Sequence, residues 1–307
     1  MKILLIAFSG SGNTFLCGDF LKKYFVELGH ECDFYKIRKD EPLTYDISKY
    51  DLIGFGYPIH AFNTPQAFNN FIKKLPKLQE KKNYFIFKVS GEPFALNNAS
   101  SYHFAKKLKR RNFVRVGEKH FIMPYNIMFR YKDSLAKQMY LYLDSLCKAY
   151  VLELVNNEGE LIKYSVPYVI LSFLLRIEWI APKLNAPFVR IKKDKCIDCH
   201  KCIHDCPCSS ICINKKGNIR IKTSCTMCMK CAMNCPSDAI IYGFMNPWKV
   251  NGPYNYSAIV ANKDIEPEFV NKDTKGYFKK FNKYFNRQKA LLEKYQIPNP
   301  IEEYLKA

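Results

Sequence analysis

The chain has 307 residues, with 48 Lys and Arg against 28 Asp and Glu, a formal charge of +20. That length points to about two domains at ~100–200 residues each, and 48% hydrophobic content with 15% aromatics excludes wholesale disorder. Of 13 cysteines, ten lie between Cys196 and Cys235. Such crowding excludes the spread-out framework of a small secreted disulfide protein and points to metal or iron–sulfur ligation.

In chain order, the N-terminal apolar run Ile3–Phe8 falls short of the ~7–15 residues of an export signal. It reads instead as a strand, Lys2–Phe8, buried on both faces, in a protein expected to be cytoplasmic. Asn13–Leu28 has helical apolar spacing and ends at Gly29, a helix-stopping residue. Strands are predicted at Glu31–Ile37, at Tyr50–Tyr57 ending before Pro58, and at Asn83–Val89. Between the last two lies a helix over Thr64–Leu75, with Pro65 in its first turn. After the loop Ser90-Gly91-Glu92-Pro93, a helix runs to Arg110. Phe113–Val116 and Phe121–Met123 form a last, interrupted strand before a long helix, Lys132–Val155. Strand–helix alternation of this kind predicts a doubly wound α/β sheet over residues 1–155.

Residues 156–190 read as a connector with one apolar helix. Its uncharged stretch Tyr164–Leu175 is shorter than the ~20 residues that cross a bilayer, so a buried or interfacial helix is expected. Residues 191–245 hold the cysteine crowd. Residues 246–307 are basic and aromatic, with a helix over Thr274–Tyr295 whose apolar face is expected to pack on the rest of the protein.

The cysteines form an internal repeat at an offset of 29. Cys196, Cys199, Cys202 and Cys206-Pro207 fall on Cys225, Cys228, Cys231 and Cys235-Pro236. Each run is C-x2-C-x2-C-x3-C-P, the spacing of bacterial-type ferredoxins with two [4Fe–4S] clusters. The resemblance implies one cluster on Cys196, Cys199, Cys202 and Cys235, and the other on Cys225, Cys228, Cys231 and Cys206. Zinc sites use cysteine pairs across a longer loop, whereas a third cysteine follows here in both halves. His200 and His204 align with Met229 and Met233, so they are not expected to be ligands. Cys208 and Cys212 align with Ser237 and Ile241; Cys208 reads as a loop residue and Cys212 as a small core filler. Cys17, Cys32 and Cys147 read as plain packing.

Between the first strand and helix lies Ser9-Gly10-Ser11-Gly12-Asn13-Thr14, hydroxyls and glycines at a helix N-terminus, where free N–H groups and the helix dipole favour an anion. Neither G-x4-G-K-[ST] nor G-x-G-x-x-G fits. The loop resembles the phosphate loop of flavodoxins, [ST]-x-[ST]-G-x-T, with Ser9, Ser11, Gly12 and Thr14 in the matching places. That resemblance implies FMN, with its ring held by the loops after the third and fourth strands. Those loops contribute Tyr57, Pro58, Ile59, Ala61, Phe62 and Asn63, then Ser90, Gly91 and Glu92. Phe94 and Tyr102 are further aromatic candidates, and His60 a candidate proton donor.

Taken together, the chain resembles flavodoxin–ferredoxin fusion proteins of anaerobes over residues 1–155 and 191–245, and Pro247–Asn255 is similar to the stretch after the clusters in such fusions. The resemblance implies a flavodoxin-like five-stranded parallel sheet followed by a small α+β two-cluster domain. It further implies electron transfer between two [4Fe–4S] clusters and FMN, coupling one-electron and two-electron carriers. An FMN-dependent reductase of a small organic substrate is the alternative. A nucleic-acid or membrane-surface binder, prompted by the charge, ranks below both, since no nucleic-acid motif is present. The positive charge suits an acidic redox partner.

Overall fold

The computed structural model describes residues 1–38, 41–215 and 217–307, with only the backbone at 177 and 178. The first half builds β1 (Lys2–Ala7), α1 (Asn13–Glu27), β2 (Glu31–Lys36), β3 (Leu52–Pro58), α2 (Gln66–Lys74), β4 (Lys82–Ser90), α3 (Tyr102–Lys109), β5 (Phe113–Ile122) and α4 (Asp133–Val155). The five strands make one all-parallel sheet of order β2-β1-β3-β4-β5. Successive side chains of a strand face opposite sides. Ile3, Leu5 and Ala7 therefore join a core with α1 and α4, while Leu4, Ile6 and Phe8 join one with Phe55, Phe68 and Phe104 on the other face. This is the five-strand order of a flavodoxin-like fold.

Three expectations shift. The last strand is continuous, because an irregularity opposite Tyr84 and Phe85 absorbs the break in its apolar pattern. Pro65 caps α2 from outside instead of sitting within its first turn. The helix expected after Pro93 begins as a 3-10 turn, Ala95–Ser101, before α3.

The connector carries α5 (Val166–Leu174), a 3-10 turn at 175–179 and α6 (Ala181–Asn185). On α5 only Ser172 is buried, so the helix lies on the surface. Its anchor is the Asn63 side-chain amide, which donates to the Ser172 carbonyl at 2.7 Å. Among the described residues no helix is long and apolar enough to cross a membrane.

The cysteine segment contains β6 (Val189–Ile191), α7 (Lys201–His204), β7 (Ile211–Ile213), β8 (Ile219–Ile221), α8 (Lys230–Met233) and β9 (Ile240–Tyr242). The repeat is visible in the backbone. Asp198, His200 and Ser209 adopt positive φ, and so do their repeat mates Met227, Met229 and Asp238. Strand pairing crosses between the halves: β6 pairs antiparallel with β9, and β7 with β8.

The C-terminal stretch forms α9 (Tyr256–Ala261), α10 (Lys279–Lys294) and α11 (Pro300–Lys306), and it belongs to the core of the first half. Phe281, Phe285 and Leu292 of α10 are buried, with the Phe285 ring 4.8 Å from that of Tyr142 on α4. The buried Lys137 ammonium donates to the carbonyls of Asn262 and Ile265 and to the Tyr304 hydroxyl. The Gln138 amide both donates to and accepts from the Val270 backbone.

Candidate functional site

A cavity of about 400 Å³ opens at the carboxyl ends of β1, β3, β4 and β5, where open α/β sheets place their ligands. Its floor begins with the glycine–hydroxyl loop. The Ser9 hydroxyl accepts the Gly12 N–H at 3.0 Å, and Gly12 sits at φ 110°, a left-handed position that favours glycine, so the chain turns sharply into α1. No side chain caps that helix and no acidic residue lies in its first turn. Its first N–H groups and the positive end of its dipole are therefore left to a ligand. The Thr14 hydroxyl is buried there without a hydrogen-bond partner. Gly10, Ser11, Asn13 and Thr14 line the cavity, whereas Ser9 and Gly12 shape the turn behind them. Asn13 is tied on both sides: it donates to the Pro124 carbonyl and accepts from the Tyr256 hydroxyl.

The loops after β3 and β4 supply Pro58, Ile59, His60, Ala61, Phe62, Ser90, Gly91, Glu92 and Phe94 to the walls. Ala61 and Phe62 hold positive φ, an uncommon state for side-chain-bearing residues that clusters at functional sites. Burial lowers the His60 pKa to about 4, so the imidazole is neutral at pH 7. The Ser90 hydroxyl bonds the His120 ring at 2.8 Å. Glu92 accepts from Tyr125 at 2.6 Å and also from Tyr277 and Lys280 of the C-terminal stretch.

Three expected ring contacts fall elsewhere. Tyr57 is fully buried in the opposite core, its ring 5.1 Å from Phe68 and its hydroxyl beside Ser100. Asn63 is used structurally, donating to the Ala61 and Ser172 carbonyls. Tyr102 packs edge-on against Tyr164. The loop after β5 was not expected at the site, yet Pro124, Tyr125, Asn126, Ile127 and Met128 form a wall. The rule that ligands sit at strand carboxyl ends, applied to the fifth strand, would have found it. Trp179 and Pro182 of the connector, with Thr226, Met227 and Met245 of the cysteine segment, complete the lining.

The eight repeat cysteines ring two small cavities of similar size. One is lined by Cys196, Cys199, Cys202 and Cys235 and the other by Cys206, Cys225, Cys228 and Cys231, each of about 20 Å³. Backbone N–H groups donate to the sulfurs at equivalent places: Ser210 to Cys206 and Ala239 to Cys235, both at 3.3 Å. Among the described residues no group of three or more His, Cys, Asp or Glu is arranged to hold a single metal ion. Burial disfavours the thiolate form, raising Cys202 to about 11 and Cys231 further. Cys208 sits in a turn, as expected of a loop residue. It is buried against the core that holds Tyr57 and Phe68, because this stretch docks on the sheet domain.

The two sites touch. A Cβ placed on Gly10 would lie 2.7 Å from Cys228 Cβ and 2.8 Å from its carbonyl oxygen, and the Asn126 amide donates to that same carbonyl at 2.7 Å. The Cys206/225/228/231 quartet is thus the one beside the cavity. The Cys196/199/202/235 quartet contains the exposed Cys199.

Residues 4–117 match the family model described as a flavodoxin domain; with the sheet order above, the N-terminal part of the chain is a flavodoxin-like domain. No curated protein matches the chain. Solved structures similar to part of it include oxidised flavodoxin 1 from Bacillus cereus, at 18% identity over 47% of this chain and 95% of that one, with a TM-score of 0.34. A short-chain flavodoxin associated with a bacterial microcompartment aligns at 14% identity over 52% of this chain and all of that one, TM-score 0.37. Rubredoxin oxygen:oxidoreductase from Desulfovibrio gigas aligns at 12% identity over 52% of this chain and 37% of that one, TM-score 0.34.

Proposed function

We propose that this chain is an electron-transfer iron–sulfur flavoprotein, with FMN in the sheet-edge cavity and a [4Fe–4S] cluster in each cysteine quartet. When bound, the clusters exchange single electrons and the flavin one or two, so the chain couples the two kinds of carrier. The observation that carries this reading is the contact of Gly10 with Cys228, which sets one quartet directly against the anion cradle of the cavity.

The residues suit those groups. Thr14 offers an unpartnered buried hydroxyl beside the free N–H groups of α1, the donor set a phosphate requires. Pro58–Phe62 and Ser90–Phe94 face the space where the ring would lie, and Asn97 holds the second loop by donating to the Ser90 hydroxyl and the Glu92 carbonyl. His60, neutral and lining the cavity, is placed to hold a tautomeric proton without adding charge. Each quartet offers four thiols around a single space, with N–H groups aimed at the sulfurs. The exposure of Cys199 in one quartet and the contact of Cys228 with Gly10 in the other support an order of outer quartet, inner quartet, then cavity. None of residues 246–307 lines the cavity, which supports a carrier over a reductase sealed by the C-terminal stretch. The excess of cations suits an acidic protein as electron partner.

The test is anaerobic purification with iron, sulfide and flavin quantified and spectra recorded before and after dithionite. About eight irons per chain with one FMN are expected. Eight irons with no flavin would remove the cavity's assignment, and zinc in place of iron would remove the clusters.

A further inference from the structure

We infer that the connector is a seat for an anionic membrane surface, on which α5 and α6 lie in the plane of the bilayer without crossing it. α5 is apolar apart from Ser172, its one buried residue; Val169 is half-buried and the Phe173 ring lies 6.0 Å from that of His103. Val166, Ile170, Phe173, Leu174, Ile180 and Leu184 are each more than half exposed, Val166 at 70%. Apolar side chains this large and this close in sequence, all facing outward, mark an interaction site. Its chemistry selects the partner. Residues 161–193 contain six Lys or Arg and one acidic residue, and Lys163, Lys183 and Arg190 are exposed. Arg176 stacks on both Phe173 and Trp179, its guanidinium 5.0 Å from each ring. An uncharged helix edged by cations, with Tyr168 within it and Trp179 beside it, is the composition of an interfacial helix: side chains enter the acyl boundary while basic groups meet lipid phosphates.

The seat adjoins the cavity. Asn63, bonded to the Ser172 carbonyl, also accepts from Arg176 at 3.3 Å, and Trp179 and Pro182 line the cavity itself. A membrane engaged by α5 and α6 would therefore lie next to the loop after β3, whichever cofactor the cavity holds.

The test uses the full-length protein purified anaerobically and floated with vesicles of phosphatidylcholine alone or with roughly 30% phosphatidylglycerol. Flotation with the anionic vesicles, weakened by salt, is expected, and Ile170→Glu with Leu174→Glu should reduce partitioning at least ~tenfold at unchanged circular dichroism. A second readout needs no change in α5. In Trp248→Phe protein, lipids brominated on their acyl chains should quench Trp179. Failure of the wild type to float, equal flotation of the double variant, or no quenching would each overturn the inference. So would a wild-type dimer that the double variant converts to monomer without any vesicle binding, which assigns the face to a second copy of the chain.

Discussion

Gly10 and Cys228 meet so closely that no side chain fits between them: a Cβ at Gly10 would sit 2.7 Å from Cys228 Cβ. Because one belongs to the anion cradle and the other to a cysteine quartet, this single contact fixes how the two halves of the site approach each other. Gly10→Ala should force the cysteine loop outward at a cost of about 1–3 kcal/mol, the usual penalty of overpacking. It should also slow flavin reduction after the iron–sulfur groups are reduced. Stopped-flow absorbance at flavin and cluster wavelengths measures this, and an unchanged rate would separate the contact from electron transfer.

Removing the Thr14 hydroxyl should weaken flavin mononucleotide binding. A hydrogen bond to a charged group contributes about 1.5–3 kcal/mol, so Thr14→Val should raise the Kd by roughly one to two powers of ten, while Thr14→Ser stays near wild type. Fluorescence titration of flavin-free protein distinguishes the two.

The cysteines should sort by quartet. Cys231→Ala is expected to cut the iron content by about half, from roughly eight toward four. Cys208→Ser should leave iron unchanged and lower thermal stability, since Cys208 packs in the sheet-domain core. Iron analysis with a thermal melt reads both, and iron loss in Cys208→Ser would make that residue a ligand.

A buried ion pair braces the sheet beneath the cavity. Lys88 and Glu118 are both fully buried at 2.6 Å, and the Lys88 ammonium also donates to the Asn97 carbonyl at 3.0 Å. Lys88→Met should cost up to about 3–5 kcal/mol, because the buried Glu118 carboxylate loses its ammonium partner and keeps only Arg115 and Ser101, and Lys88→Met with Glu118→Gln should recover part of it. Urea unfolding decides; a single variant as stable as wild type would contradict the role.

Much of this was legible in sequence because the signals were local. The resemblance of the cysteine runs to two-cluster ferredoxins implies the two quartets, and the glycine–hydroxyl loop announces a cradle at the first strand's end. Tyr57 shows where local signals end. It lies at the carboxyl end of a strand, as a ring contact should, but the two-residue alternation sends it to the Phe68 face and its neighbour Pro58 to the cavity. Cys208 sits in the expected turn, but the burial of that turn was not legible. Its repeat mate is Ser237, so the repeat carries no hint of the docking surface that buries it. The C-terminal stretch reads as amphipathic, yet only the fold reveals that α4 supplies Lys137 and Gln138 as buried anchors for it.

Acid should loosen the protein before its carboxylates titrate. His60 and His103 are lowered to about 4 and His120 to about 3, burial being the largest cause in each. Unfolded imidazoles take up protons near pH ~6.5. Between those values the unfolded chain binds more protons than the folded one, so stability falls as the pH drops from ~6.5 toward 4. Melting temperatures across that range should decline, and His120→Asn should flatten the decline; a flat wild-type profile would show the rings accommodate charge.

The crossed pairing of β6 with β9 and of β7 with β8 makes each half of the cysteine repeat the other's template. Neither half contains a strand pair of its own, so neither can fold first and wait for its twin. A nick in the backbone on one side therefore does not stay there. The segment is gained or lost as a unit, and intermediate states carrying one intact half should be scarce.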